Sequence, residues 1–276
     1  MSRRFSMPSK RMADPRLALG EVLKAVDPRE KAALALKLAN EGVTGIPDSP
    51  LPDWPRPVRR DEPPLRPPNE MPKRGLGSLA GRQALMHAIA HIELNAIDLA
   101  ADMAGRFAHV IPLPERDSFV ADWLSVMSDE ARHFLMVADR LEQMDTRYGA
   151  LPAHEGLFDA AARTSFDIKA RLAIAPLVLE ARGLDVTPGM IERLRRAGDD
   201  SSAEVLTVIY TEEIGHVATG IRWFRHCCSG DEQSPAEIFK SLVEQHFPGG
   251  LKRPFNDEAR EEAGFERQWY EALAKS

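Results

Sequence analysis

Cysteine is almost missing from this chain: of 276 residues, only Cys227 and Cys228 carry a thiol. Neighbours in sequence cannot staple distant segments, and two thiols are too few for a cysteine-held iron–sulfur cluster or a rubredoxin-type site. A disulfide framework is therefore excluded, and the expected compartment is the reducing cytoplasm. Long apolar runs are missing as well. The longest, Leu172 to Leu179, falls far short of the roughly 20 residues that span a bilayer, so no membrane partner is expected. Gly-x-Gly-x-x-Gly does not occur, which removes the usual sign of a flavin or nicotinamide site. Sustained strand alternation is absent, and aromatic residues make up only 7% of the chain. Basic excess is absent too: 36 Lys and Arg against 42 Asp and Glu give a net charge of -6, unlike a general nucleic-acid binder.

What is present is helix punctuation. Asp27-Pro28-x-Glu30 reads as a cap, a first-turn proline and a capping-box acid, with Gly42 as the stop. Ser201-x-x-Glu204, Thr187-Pro188 and Ser234-Pro235-x-Glu237 repeat the pattern, and Asn256 caps a last helix to about Ala274. Ten of the 21 prolines fall between residues 45 and 77, which predicts an extended strap. It reads as a linker or, alternatively, as a strap lying across the protein and closing a site. The first 13 residues are basic and precede no apolar segment; they read as a disordered start, with a transit peptide as the alternative.

Four long amphipathic patterns follow the strap, at about 79–108, 115–147, 157–182 and 201–228, with a shorter helix framed by Gly183 and Thr187-Pro188. The predicted fold is all-α, a four-helix bundle. Its segments are an N-terminal helical pair over 1–44, the Pro-rich strap over 45–78, the bundle over 79–228 and a C-terminal helical extension over 229–276.

Only two of the eight histidines have a glutamate three residues earlier, in Glu130-Ala-Arg-His133 and Glu213-Ile-Gly-His216. That spacing puts both side chains on one helical face, converging on one point. The faces are apolar: Glu130 and His133 share theirs with Trp123, Met127, Phe134 and Val137, and Glu213 and His216 with Leu206, Ile209, Val217 and Ile221. Glu93, among Met86, Ile89, Ala90 and Ile97, and Glu180, among Ala173, Leu177 and Leu184, are acids in equally apolar stripes. Buried carboxylates need compensating cations. Four acids carry a charge of -4, which two divalent metal ions balance. Oxygen-rich ligation with two imidazoles suits iron or manganese, or a mixed pair, better than structural zinc.

The order Glu93, Glu130/His133, Glu180, Glu213/His216 resembles the ferritin-like di-iron carboxylate proteins, whose core takes a Glu from each of two helices and a Glu-x-x-His from each of the other two. The runs 87–98, 129–134 and His246-Phe-Pro-Gly-Gly-Leu resemble the DUF455 family, a bacterial family of ferritin-like proteins of unknown function. A more distant likeness, through the ligand order and Glu180-Ala-Arg182, is to the tRNA-modifying di-iron hydroxylases. The resemblance implies a ferritin-like bundle with two iron ions at these six residues, which would also be the catalytic residues. It further implies second contacts from Asp129 to His216 and from Glu212 to His133. The implied activity is an O2-activating oxidoreductase of the hydroxylase type on a small-molecule or macromolecular substrate, fed by an external electron donor. An iron-handling ferroxidase and a non-catalytic metal-binding scaffold are the alternatives, and a homodimer is possible. Other features are read more plainly. Arg193, Arg195, Arg196 and the cluster Arg56, Arg59 and Arg60 are solvated surface ahead of an RNA contact. His87, His91, Asn95 and Asp98 form either a wet helix face or a polar network. Pro176 must kink or unwind the helix ahead of Glu180.

Overall fold

The structure, a computed structural model, describes residues 14–58, 61–67, 70, 75–154 and 156–275. The basic start, Arg59, Arg60 and parts of the strap lie outside the described residues. The chain is all-α, 68% helix and 2% strand. Helices α1 (Arg16–Lys24) and α2 (Pro28–Glu41) precede the strap, and α3 (Leu79–Phe107) and α4 (Arg116–Gln143) follow it. Then come α5 (Gly156–Arg163), α6 (Ile168–Ile174), a π-helical turn over Ala175–Glu180, α7 (Ala181–Arg196) and α8 (Asp200–Cys227). The C-terminal part adds α9 (Pro235–His246), α10 (Asp257–Glu262) and α11 (Arg267–Tyr270), with β1 (Leu251–Lys252) paired in parallel with β2 (Ala274–Lys275). No helix among the described residues is long and apolar enough to cross a membrane.

The local causes are the expected ones at several ends. The Asp27 side chain accepts from the N–H groups of Arg29 and Glu30, Gly42 leaves α2 at φ 76°, and Ser234 and Glu237 close a full capping box. Asn256 caps α10, but that helix ends at Glu262 and a separate short helix follows. Two caps fall elsewhere than expected. Asp199, not Ser201, accepts from Ser202 N–H and starts α8. Thr187-Pro188 starts nothing: α7 runs through Gly183 and Pro188. Proline cannot bond the carbonyl four residues back; here that carbonyl, on Leu184, accepts from Asn256 Nδ2 instead (3.2 Å).

The third long pattern is also corrected. It breaks at residues 164–167, where the Asp167 side chain caps a new helix, and it then runs as α6, the π turn and α7 to Arg196. Pro176 sits inside the π turn, the local unwinding that its missing N–H demands. Helix α8 approaches this turn closely: a Cβ on Gly220 would lie 2.6 Å from Pro176 Cβ. Helices α3, α4, the α6–α7 arm and α8 share one core with α1 and α2, led by Phe119, Trp123, Phe134, Leu172, Leu206 and Phe224.

The described strap is pinned to the helices. Ser49 O accepts from buried Arg16, Ile46 O from buried Arg116, and Val58 N–H donates to Leu23 O. The Trp54 ring lies over Gly105, where a Cβ would stand 1.9 Å from its Cη2, and its Nε1 donates to Asp102 (2.6 Å). Asp102 lies nine positions after Glu93, half a turn round the helix, so Trp54 covers the far side of α3 from that acid.

The polar face of α3 is not wet. His87 and His91 are buried, as is Asp98, which pairs with buried Lys31 of α2. His91 Nδ1 meets Tyr148 Oη at 2.8 Å, and His87 Nε2 accepts from Gly149 N–H at 2.9 Å. Burial pushes the His87 pKa down to about 4 from 6.5. The unfolded chain thus takes up this proton near pH 6.5 while the fold resists it to about 4. Stability from this group is complete above pH 6.5 and falls across that window, by about 3 kcal/mol. Urea unfolding at stepped pH should show this loss, and His87→Gln, which keeps an acceptor but does not titrate, should flatten it.

Candidate metal centre

Each of the six acids and imidazoles sits where the apolar stripe of its helix forces it inward. Glu93 lies on α3 between Ala90 and Ile97, both fully buried. Glu130 and His133 lie on α4 beside Met127, Phe134 and Val137, and Glu213 and His216 lie on α8 beside Ile209 and Val217. Glu180 ends the π turn. Glu93, Glu130, His133 and Glu213 each offer a ligand atom, and these atoms lie within 4.8 Å of one another. His216 joins them through Nδ1, 3.1 Å from Glu130 Oε1 and 3.5 Å from Glu213 Oε1. Glu180 is close enough for Glu213, Glu130 and His216 to act on its charge.

Glu130 is the centre of the group. Its Oε1 faces His216 Nδ1 and its Oε2 faces His133 Nδ1, at 3.1 and 3.6 Å, while His133 Nδ1 also lies 3.3 Å from Glu93 Oε2. Both rings therefore turn Nδ1 inward, and their centroids are 5.8 Å apart. Close as these groups are, seven buried atoms make no hydrogen bond: Oε2 of Glu93, Glu180 and Glu213, both oxygens of Glu130, and Nδ1 of His133 and His216. Buried polar atoms are rarely left unpaired. Six of the seven belong to five residues in mutual contact, and Glu180 adds the last; all come from carboxylates and imidazoles, a donor set suited to cations.

Protons compensate the burial in the metal-free chain. Desolvation, reinforced by the Glu130 charge, raises the carboxyl pKa of Glu93 well above its ordinary value. Desolvation and the Glu213 charge do the same for Glu180, and desolvation with the Glu130 charge raises Glu213. Desolvation opposes ionisation of Glu130 too, but the two histidines outweigh it and hold its pKa below the carboxylate range. Burial works against the charged imidazoles, yet Glu130 and Glu93 push His133 up to about 11. His216 is likewise raised, by Glu213, Asp129 and Glu130, against its desolvation. In the metal-free centre these shifts all favour protons on the two imidazoles and the outer acids, with Glu130 as the ionised carboxylate between the rings. Metal ions would have to displace those protons.

The outer ring nitrogens are held from behind. His133 Nε2 meets Glu212 Oε2 at 2.7 Å, and His216 Nε2 meets Asp129 Oδ2 at 3.3 Å, the two contacts the resemblance implied. Such carboxylates fix ring orientation and tautomer. Arg132, which sequence reasoning missed, joins them: its Nη2 reaches Asp129 Oδ1 at 2.6 Å and Glu212 Oε2 at 2.8 Å. One guanidinium thereby steadies the partners of both histidines. Its signal was available, since Arg132 follows Asp129 by three residues on the same helix face. At the end of α8, Cys228 is buried and Cys227 half-buried, and burial raises their thiols to about 11 and about 12. They pack rather than react. Arg56, Arg193, Arg195 and Arg196 are exposed.

Comparison with known proteins adds one relative and a family. An uncharacterized protein of Haemophilus influenzae is 36% identical over 252 residues, covering 88% of each chain. No solved structure matches. The profile described as "Protein of unknown function (DUF455)" matches residues 24–271. Nine-tenths of the sequence, with every residue of the candidate centre, lies inside that match, and the chain belongs to the DUF455 family.

Proposed function

We propose that this chain is a ferritin-like four-helix-bundle protein that holds two metal ions, iron in the first instance, and works as an O2-dependent oxidoreductase. Glu93, Glu130, His133, Glu180, Glu213 and His216 would hold the metals. The observation that carries the reading is that these six residues hold seven buried ligand atoms without a hydrogen bond, five of the residues lying in mutual contact. Four carboxylates and two imidazoles match the charge and softness of two divalent irons, with manganese or a mixed pair as variants. When bound, a carboxylate-held iron pair supplies the capacity to react with O2 and oxidise an organic substrate.

The protein's own groups have definite tasks in this reading. Glu130 presents one oxygen towards each histidine and so belongs to both halves of the centre. Asp129 and Glu212 accept from the outer ring nitrogens, leaving each Nδ1 free as a donor to metal. Arg132 offsets the charge of both acids. Phe134, Met127, Ile209 and Val217 keep water from the acids. Electrons for substrate oxidation would come from an outside reductant. The substrate in this reading is a small molecule or a macromolecule, and the cytoplasm is the proposed setting.

The test is metal content after anaerobic loading with Fe(II) and desalting. About two irons per chain is the expected result, followed by O2 uptake coupled to an organic substrate. Two irons with O2 uptake but only ferric iron as product would make the protein an iron-handling ferroxidase. Failure to retain iron, manganese or zinc would leave a helical scaffold and overturn the proposal.

A further inference from the structure

Arg182 follows the π turn by two residues, and the C-terminal segment wraps around it. Its Nη1 donates to the carbonyls of Lys252 (2.7 Å) and Pro254 (3.0 Å). Those bonds occupy one end of the guanidinium. Nε and Nη2 make no hydrogen bond among the described residues, and the side chain is 37% exposed. This edge carries two parallel N–H groups at the spacing of a carboxylate's two oxygens.

Arg182 also lines a cavity of about 220 Å³, otherwise walled mainly by Val178, Leu179, Phe247, Leu251 and Phe255. The Phe-Pro-Gly-Gly-Leu run over 247–251, which the metal centre does not use, forms one side of it. An apolar cavity of about 150 Å³ admits benzene; the larger space here has room for a ring and a carboxyl group. The charged groups on the lining are Arg182, Lys252 and Arg260 against Asp185 alone. Asp185 is already taken, since it accepts from Arg260 Nε (2.8 Å) and Nη2 (2.7 Å) and from Asn256 N–H (2.9 Å), and its Oδ2 also lies 3.5 Å from Arg182 Nη1, the nitrogen that the Lys252 and Pro254 carbonyls occupy. The cavity is therefore apolar in its walls and cationic in its balance, with one unused carboxylate-binding edge.

We infer that this cavity binds a small organic anion, a monocarboxylate on a compact aromatic or similarly apolar body, with Arg182 gripping the carboxylate side-on. The site stands apart from the metal centre and does not depend on it. Its nearest approach along the chain is the π turn, where Val178 and Leu179 form cavity wall just before Glu180.

The experiment uses the full chain stripped of metal, so that its outcome is independent of metal loading. Benzoate is titrated by calorimetry, with benzamide as the uncharged counterpart. Saturable one-to-one benzoate binding is expected, with benzamide at least about tenfold weaker for want of the charge-assisted pair. Arg182→Gln should lose the benzoate signal. Because that variant also releases the Lys252 and Pro254 carbonyls, Gly249→Leu is the second probe. Gly249 lines the cavity, has no positive φ, and an added Cβ would meet only Phe247 Cε1 at 4.0 Å. This variant should keep the parent's thermal transition and lose benzoate. No saturation by about 10 mM, equal affinity for benzamide, or unchanged binding in a folded Gly249→Leu protein would overturn the inference.

Discussion

Glu130→Ala and His216→Ala should each keep the parent's helical circular dichroism and lose two-metal loading, as read by metal analysis after anaerobic iron addition. Glu130 is the sharper of the two. It is 1% exposed, and its two oxygens face the two histidines separately, so its removal takes a donor from both halves of the centre. His216 removes only one. Glu204→Ala, an exposed acid on the same helix as His216, is the control and should load as the parent does. Two metals per chain in either variant would mean that the ligands lie elsewhere. The metal-free proteins carry a second expectation. Considered as a lone buried charge, Glu130 would be a burden whose loss stabilises the chain. Its position between two imidazoliums reverses that sign. Deletion leaves His133 and His216 facing each other across a site with less negative charge, and the metal-free variant should be the less stable, by up to about 3 kcal/mol.

Asp185→Ala should bring the largest loss of stability outside the candidate centre, about 3–5 kcal/mol by chemical unfolding. The Asp185 carboxylate is fully buried and Arg260 is 2% exposed. The ring of Tyr270 lies 4.4 Å from the Arg260 guanidinium carbon, with Phe255 and Phe265 at 5.0 and 5.2 Å. Aromatic faces soften the burial of that cation but accept none of its hydrogen bonds in the plane. With Asp185 gone, a charged guanidinium stays enclosed, and Asn256 loses the acceptor for its backbone N–H. The loss should appear first as release of the segment after α9, detectable as early hydrogen exchange over 251–275 while α3 and α4 stay protected. A double variant with Arg260→Met should recover much of the stability, because removing both charges costs far less than stranding one. A single variant as stable as the parent would show the pair to be idle.

What could be read from the sequence was what repeats locally. Helices α3, α4 and α8 were legible because their apolar stripes keep one period for seven or eight turns, and five of the six acids and histidines were legible because they interrupt those stripes. The third helix was not, since the π turn shifts its period and the carbonyl freed by Pro188 finds its partner in Asn256, far along the chain. The polar face of α3 stayed open between a wet face and a polar network for the same reason. Periodicity shows that Asp98 is polar; it cannot show that Lys31 arrives from α2 to meet it, nor that Tyr148 closes over His91. Of the Asp102 cluster only the i,i+4 spacing to Arg106 is local; Arg171 and Trp54 arrive from other segments and leave no trace near it.

The π turn has one more consequence. A π turn carries one residue more than the α-helical turn it replaces, so all that follows is rotated by about 100° relative to an unbroken helix. Deleting Pro176, the residue that bars a plain α-helical turn here, would let the arm rewind as an α-helix with nearly the same hydrophobicity. The acid at its end would then point about a quarter-turn away from Glu213. In this stretch length is under stronger constraint than identity. A homologue with every apolar residue exchanged for another would keep the centre's geometry, whereas one shorter by a residue would have to supply its fourth carboxylate from a different position.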